Sequence, residues 1–445
     1  MIRTATKLFV AWLVLATINF ELLRLAELQI INIEIDTSVF FPISVFKLHF
    51  HTAGLKYALI FSIGLFLSLK YSSRIKLIHI WLISILFIVI GNLAQGSIDL
   101  GFYKPFYERG IQYYHDAIKI VEWHQWLANF TENQEFLLTH SKTHPPFAVL
   151  LHYVVLKAGN GGLGVLTITF TILSSFSPII LWKILKTIQV PIARRNMLAI
   201  LFAVIPAYNI YSCISLDGVI LTCSLLFLYG LIRIIRYGMH FQGLLFYLAG
   251  IVLVNALTFG GIFLVLVTFF VGVRNYWMKR NLDVICLLGG TLVLGIVINE
   301  LLGLYFGYSH FLGFIQACSF ENPDGFRAIS EPINYLFTRI ENIAEIALFL
   351  SLGCLAVLFH PEQLEVRFLD INDDWNAVSI IGIFVLLLLF ISGAFRTGET
   401  ARACLFIYPY IFLAFRKIKN PLLTHITMIA GLQTIVMQLF GEYVW

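Results

Sequence analysis

Long apolar runs recur along this chain from Leu8 to Phe440, separated by short charged stretches. Each run is about 16–24 residues, and roughly 20 residues of helix cross a ~30 Å hydrocarbon slab. Backbone in lipid must satisfy its own polar groups, so runs of this length fold as helices. Apolar residues make up 59% of the 445, and Asp, Glu, Lys and Arg only 12%, about half the charged share of a soluble domain. That balance excludes a soluble enzyme, a nucleic-acid binder and a disordered chain. The expected fold is an all-α polytopic membrane protein, with 1–445 as a single transmembrane domain.

Spans are expected at 8–28, 53–69, 77–95, 163–185, 197–212, 217–235, 243–258, 260–273, 284–306, 342–360, 375–395, 401–416 and 424–441. The first has no small-residue cleavage site and reads as uncleaved. The apolar segment from Phe147 to Lys157 is too short to cross and is placed at the interface. With that placement Arg3, Lys70, Arg74, Lys183, Arg194, Arg233, Arg274, Arg280, Arg416 and Lys419 all face the cytoplasm. About thirteen spans follow, in a multi-pass protein of a bacterial plasma membrane or the endoplasmic reticulum. The six cysteines are scattered without metal spacing and read as buried small hydrophobes.

Three long stretches then lie on the exoplasmic side: 29–52, 96–162 and 307–341. Within the second, Trp123, Trp126, Leu127 and Phe130 recur at helical spacing. A Trp-rich stripe of that kind predicts a juxtamembrane helix in the headgroup layer. A second such helix is expected from Pro145 to Lys157, opened by a Pro-Pro pair. Loop 96–162 thus reads as a lid over a membrane-embedded cavity. Asn129-Phe130-Thr131 also fits a glycosylation sequon, a common match.

Charged residues inside spans are costly and usually functional, and this chain nearly avoids them at mid-depth. Glu21 and Arg24 read as a structural pair in the first span, and Glu300 as a weaker candidate near the end of its own. The polar residues cluster instead at exoplasmic span ends. They are Asp99; Tyr113-Tyr114-His115-Asp116; Thr143-His144-Pro145-Pro146; Asp217; Glu321-Asn322-Pro323-Asp324 with Arg327; and Arg396-Thr397-Gly398-Glu399 with Arg402. A carboxylate serves as a general base, while Arg or His neutralises a departing phosphate. At headgroup level this chemistry suits sugar transfer from a polyprenyl-phosphate donor.

The order of these elements resembles the GT-C glycosyltransferases, the class of protein O-mannosyltransferases and aminoarabinose transferases. The likeness rests on a span exit with Asp99, a long loop with Tyr-Tyr-x-Asp closing in Thr-His-Pro-Pro, a Leu-Asp at 216–217, and Gly-Glu-Thr-Ala-Arg at 398–402. The resemblance implies a base or acceptor-orienting carboxylate in the first large loop, Asp116 or Asp99. It implies His144, Arg396 and Arg402 as contacts of the lipid phosphate. Tyr113 and Tyr114 would offer aromatic surface to a sugar, and Asp217 and Glu399 would line the cavity. The implied partners are the lipid-linked donor, an exoplasmic acceptor and the bilayer, with no nucleic acid. No Asp-x-Asp or Asp-Glu pair occurs in the first loop, so neither a metal nor another cofactor is assigned. The competing expectation is a secondary transporter or flippase, which would place ionisable groups and broken helices near mid-membrane.

Overall fold

A computed structural model describes residues 2–27, 47–108, 110–323, 325–360, 370–395 and 399–443. The principal helices, in chain order, are α1 (Ile2–Glu27), α2 (Leu55–Lys70), α3 (Leu77–Leu93), α4 (Tyr113–Ala117), α5 (Trp123–Ala128), α6 (Pro146–Ala158), α7 (Leu163–Ser175) and α8 (Ser177–Thr187). They continue as α9 (Ile192–Val204), α10 (Pro206–Tyr211), α11 (Leu216–Tyr237), α12 (Phe241–Leu257), α13 (Ile262–Lys279) and α14 (Asp283–Phe306). The last are α15 (His310–Glu321), α16 (Pro332–Leu350), α17 (Leu352–Leu358), α18 (Asp374–Ile391), α19 (Thr400–Ala403), α20 (Tyr408–Ala414) and α21 (Asn420–Phe440). The Glu21 side chain, the Arg24 side chain, Asp324 and Arg396 lie outside the described residues.

Seven helical segments among the described residues are long and apolar enough to cross a bilayer, and an eighth if the bent pair α16–α17 is one span. This is a multi-pass membrane protein of helices. Several of the thirteen expected spans are shortened or broken. The run at 197–212 splits at Pro206, which lacks an amide hydrogen and holds Ile205 extended at φ −64°, ψ 145°. The run at 342–360 bends by 106° at Ser351, whose φ is +93°. Its hydroxyl accepts from Gly353 N to start α17. The run at 401–416 divides into α19, a 3₁₀ turn at Leu405–Ile407 and α20. Apolar composition marks where these segments lie but carries no record of where the backbone turns. The stretch at 307–341, expected as a loop, is largely α15 and the first half of α16.

The basic ends meet at one end of the bundle. Asn196 Nδ2 donates to Ser72 O and Ile75 O (2.7 and 2.9 Å), and Arg194 donates to Arg416 O (3.2 Å). Arg416 pairs with Asp373 (2.7 Å), and Asp374 takes both Lys279 (2.6 Å) and Arg274. At the other end β1 (Lys47–Leu48) pairs antiparallel with β2 (Gly441–Glu442), and Lys104 reaches Glu442 at 2.5 Å. Towards that same end, a buried amide network joins α3, α10 and α21. Asn92 donates to Asn209 O (2.9 Å), Gln438 to Asn209 Oδ1 (3.1 Å), and Gln95 to Gln438 Oε1 (2.8 Å). Without a hydrophobic force between helices in lipid, such bonds and close packing hold a bundle together.

Close packing is tightest between α11 and α12. A Cβ built on Gly250 would lie 2.2 Å from Phe227 N and 2.6 Å from its Cα. Gly250→Leu therefore forces the two backbones apart, and its thermal midpoint in detergent falls. Overpacking of this kind costs about 1–3 kcal/mol or more.

The Trp stripe of α5 turns inward onto the end of α14. Leu127 and Phe130 are buried, Trp123 packs against Phe306 (6.1 Å between rings), and Phe130 meets Tyr308 edge-on (5.7 Å). The end of α14 thus covers the stripe, while Val121 and Phe136 remain exposed. Helix α6 forms as expected and, at 13 residues or about 20 Å, is shorter than the ~30 Å hydrocarbon layer.

Candidate functional site

Helix α11 opens at Ser215, whose hydroxyl accepts from Asp217 N (3.0 Å) and donates to Asp217 Oδ2 (2.6 Å). Such an N-cap satisfies orphan amide groups at the helix start, and here it also fixes the carboxylate. Arg402 Nε approaches the same Oδ2 at 3.3 Å. The other arm of Arg402 pairs with Glu399, one helical turn earlier. Arg402 is only 7% exposed. Two carboxylates thus share one guanidinium.

Helix α16 holds the turn that carries Arg402. Glu345 Oε2 accepts from Thr400 N (2.9 Å), and the Thr400 hydroxyl bonds Asn342 Oδ1 (2.6 Å). Glu399 sits in the left-handed region at φ +62°, uncommon for a residue with a Cβ. Glu341 and Glu345 are both buried on the inward face of α16. Glu341 precedes the expected span 342–360 and Glu345 lies near its start, away from mid-depth.

The roof comes from loop 96–162. Pro105, Phe106, Gln112, Tyr113 and His152 line one small pocket together with Asp217 and Arg402. Its free space admits about one water molecule. Tyr113 lies at the centre of three imidazoles, with ring distances of 5.8 Å to His140, 5.3 Å to His144 and 5.2 Å to His152. Burial, with the Asp217 carboxylate adding to it, pushes the Tyr113 phenol well up, so it remains a hydrogen-bond donor.

His144 Nδ1 is 3.0 Å from His140 O, and His152 Nδ1 is 2.8 Å from Ala148 O. A carbonyl only accepts, so each Nδ1 carries the proton and each neutral ring presents Nε2 as an acceptor. Burial lowers the pKa of both rings from 6.5 to about 4; for His144, Asp217 opposes and Arg402 reinforces the shift. The folded state therefore binds fewer protons than the unfolded state between about pH 4 and 6.5. Stability from these rings is full above the unfolded value and is lost as pH falls through that window. Thermal midpoints are expected to drop from pH 7 to pH 5, with a shallower drop in His144→Asn.

The structure brings Tyr113, His144, Asp217, Glu399 and Arg402 together from the residues marked in the sequence. It places Asp99 and Asp116 elsewhere. Asp99 is exposed and accepts from the Tyr107 hydroxyl (2.9 Å). Asp116 is 4% exposed and accepts from Leu138 N (3.0 Å), with Lys119 at 3.4 Å. Its carboxylate thus ties α4 to the chain 22 residues later. Asp116→Asn is expected to loosen loop 96–162, read as faster amide exchange at Leu138. Tyr114 packs against Phe106 (6.4 Å) beside the pocket, and Arg327 binds the carbonyls of Gly393 and Phe395 past the end of α18. Sequence inspection missed His152, Gln112 and Glu345. His152 had a signal: it interrupts the apolar run that opens α6.

Comparison with protein-family models, with curated proteins and with solved structures gives no match.

Proposed function

We propose that this protein is an integral membrane glycosyltransferase that moves a sugar from a polyprenyl-phosphate donor to an acceptor hydroxyl. One observation carries the reading: Asp217 and Arg402, the latter also paired with Glu399, line a pocket under the 96–162 loop, at the end of the bundle away from the basic residues. By the positive-inside rule that end is exoplasmic, and the thirteen-span topology stands with it as part of the proposal. The GT-C resemblance supports the reading, and the lining residues revise the choice of base. Asp217 takes the proton of the acceptor hydroxyl, replacing Asp99 and Asp116 in that role. The acceptor oxygen bonds to the anomeric carbon as the bond to the phosphate oxygen breaks, and the electron pair leaves with the lipid phosphate. Arg402 orients Asp217 and balances its charge. The pocket must open before a sugar enters, and Phe106 and Gln112 on the 96–162 loop are the side chains that have to withdraw. Loop movement of this kind gates many enzymes.

The test is transfer of a radiolabelled sugar from polyprenyl-phosphate glucose or polyprenyl-phosphate mannose by the purified protein in nanodiscs. Label appearing in an acceptor supports the reading, and none from either donor with any acceptor lipid or peptide argues against it. A second reading, coupled transport, is favoured by the 106° bend of α16–α17 and the buried Glu341 and Glu345 beside it. Proteoliposome uptake driven by a proton or sodium gradient, without transfer, would select that reading instead.

A further inference from the structure

His152 has a role that neither the loop motif nor the resemblance assigns. It is 2% exposed and lines the pocket beside Asp217 and Arg402. Its ring is fixed between Tyr113 (5.2 Å) and Phe170, which meets it edge-on at 4.9 Å. The bond from Nδ1 to Ala148 O leaves Nε2 as the acceptor. Beside it the Tyr113 phenol is a donor. A sugar hydroxyl both donates and accepts, so the pair complements it. Phosphate oxygens only accept, apart from a monoester's single proton, and need surplus positive charge. The pocket lining offers none, because its one guanidinium, Arg402, already pairs with Asp217.

We propose that His152 Nε2 accepts a hydrogen bond from a hydroxyl of the bound sugar, making this inner pocket specific for the uncharged, hydroxylated head and leaving the lipid phosphate outside it. The inference rests on the transferase reading of the same pocket. It also withdraws Arg402 from direct phosphate contact and makes it a positioning residue for Asp217.

The test uses the full chain in nanodiscs with two probes, polyprenyl-phosphate glucose and polyprenyl phosphate without sugar, and measures Kd by native mass spectrometry. His152→Asn retains a donor near Ala148 O and removes Nε2, whereas His152→Gln returns an amide near the Nε2 position. His152→Asn is expected to weaken binding of the sugar-bearing lipid about tenfold, the size of one lost hydrogen bond. Binding of the sugarless lipid should stay within about twofold, and His152→Gln should recover part of the loss. Equal losses for both lipids would assign His152 to phosphate or to structure and overturn the inference, as would no loss for either. If the wild-type chain binds neither lipid, the transferase reading falls as well, so the two failures are distinguishable. Should His152→Asn not fold, His152→Gln decides: a loss confined to the sugar-bearing lipid supports the acceptor role, and equal losses for both lipids, or none for either, overturn it.

Discussion

Arg402→Met is expected to be the most destabilising single change at the pocket. It leaves Asp217 and Glu399, both partly buried, without the guanidinium they share. Breaking a buried ion pair by removing one partner costs about 3–5 kcal/mol, because an uncompensated charge stays behind. In a thermal unfolding series in detergent, the variant should unfold many degrees below wild type. Neutralising both acids in the same chain, with Asp217→Asn and Glu399→Gln added to Arg402→Met, should recover most of the loss. A single Arg402→Met variant as stable as wild type would mean that this cation is not what holds the pocket.

Asp217→Asn is expected to lower transfer by about 10²–10⁴-fold, the usual contribution of a positioned general base. The amide is nearly the same size and can still bond Ser215, so expression and thermal midpoint should change far less than activity. Asp99→Asn, which removes only an exposed contact with Tyr107, should retain transfer. Radiolabel transfer by the two variants, measured at equal protein and donor concentration, separates them. Full activity in Asp217→Asn would remove the proposed base.

Apolar periodicity located most of the membrane helices, because a run long enough to cross must be apolar wherever it meets lipid. It did not reveal the breaks at Pro206 and Ser351 or in the 401–416 segment, since a broken helix buried in protein has the same composition as a straight one in lipid. The acidic partners Asp217 and Glu399 were legible together with Arg402, as charges at the ends of apolar runs are conspicuous. Asp116 was legible as well, but its Tyr-rich neighbourhood concealed a local role in bonding the Leu138 amide. The Trp stripe of α5 had the spacing of a lipid-facing helix, and spacing alone does not distinguish lipid from the side of Phe306. His152 and Glu345 were obscured by the apolar residues around them. Only the packing of α6 on Tyr113, and of α16 on Thr400, turns them into site residues.

The most direct test of the whole account is a density map of the Asp217→Asn variant in nanodiscs with a polyprenyl-phosphate sugar bound. The account predicts a sugar ring bounded by Tyr113, His152 and the substituted side chain at position 217, with loop 96–162 displaced outward and the lipid tail leaving between helices. A ligand seated instead in the bend between α16 and α17, beside Glu341 and Glu345, with the Tyr113–His152 pocket still closed, would contradict it.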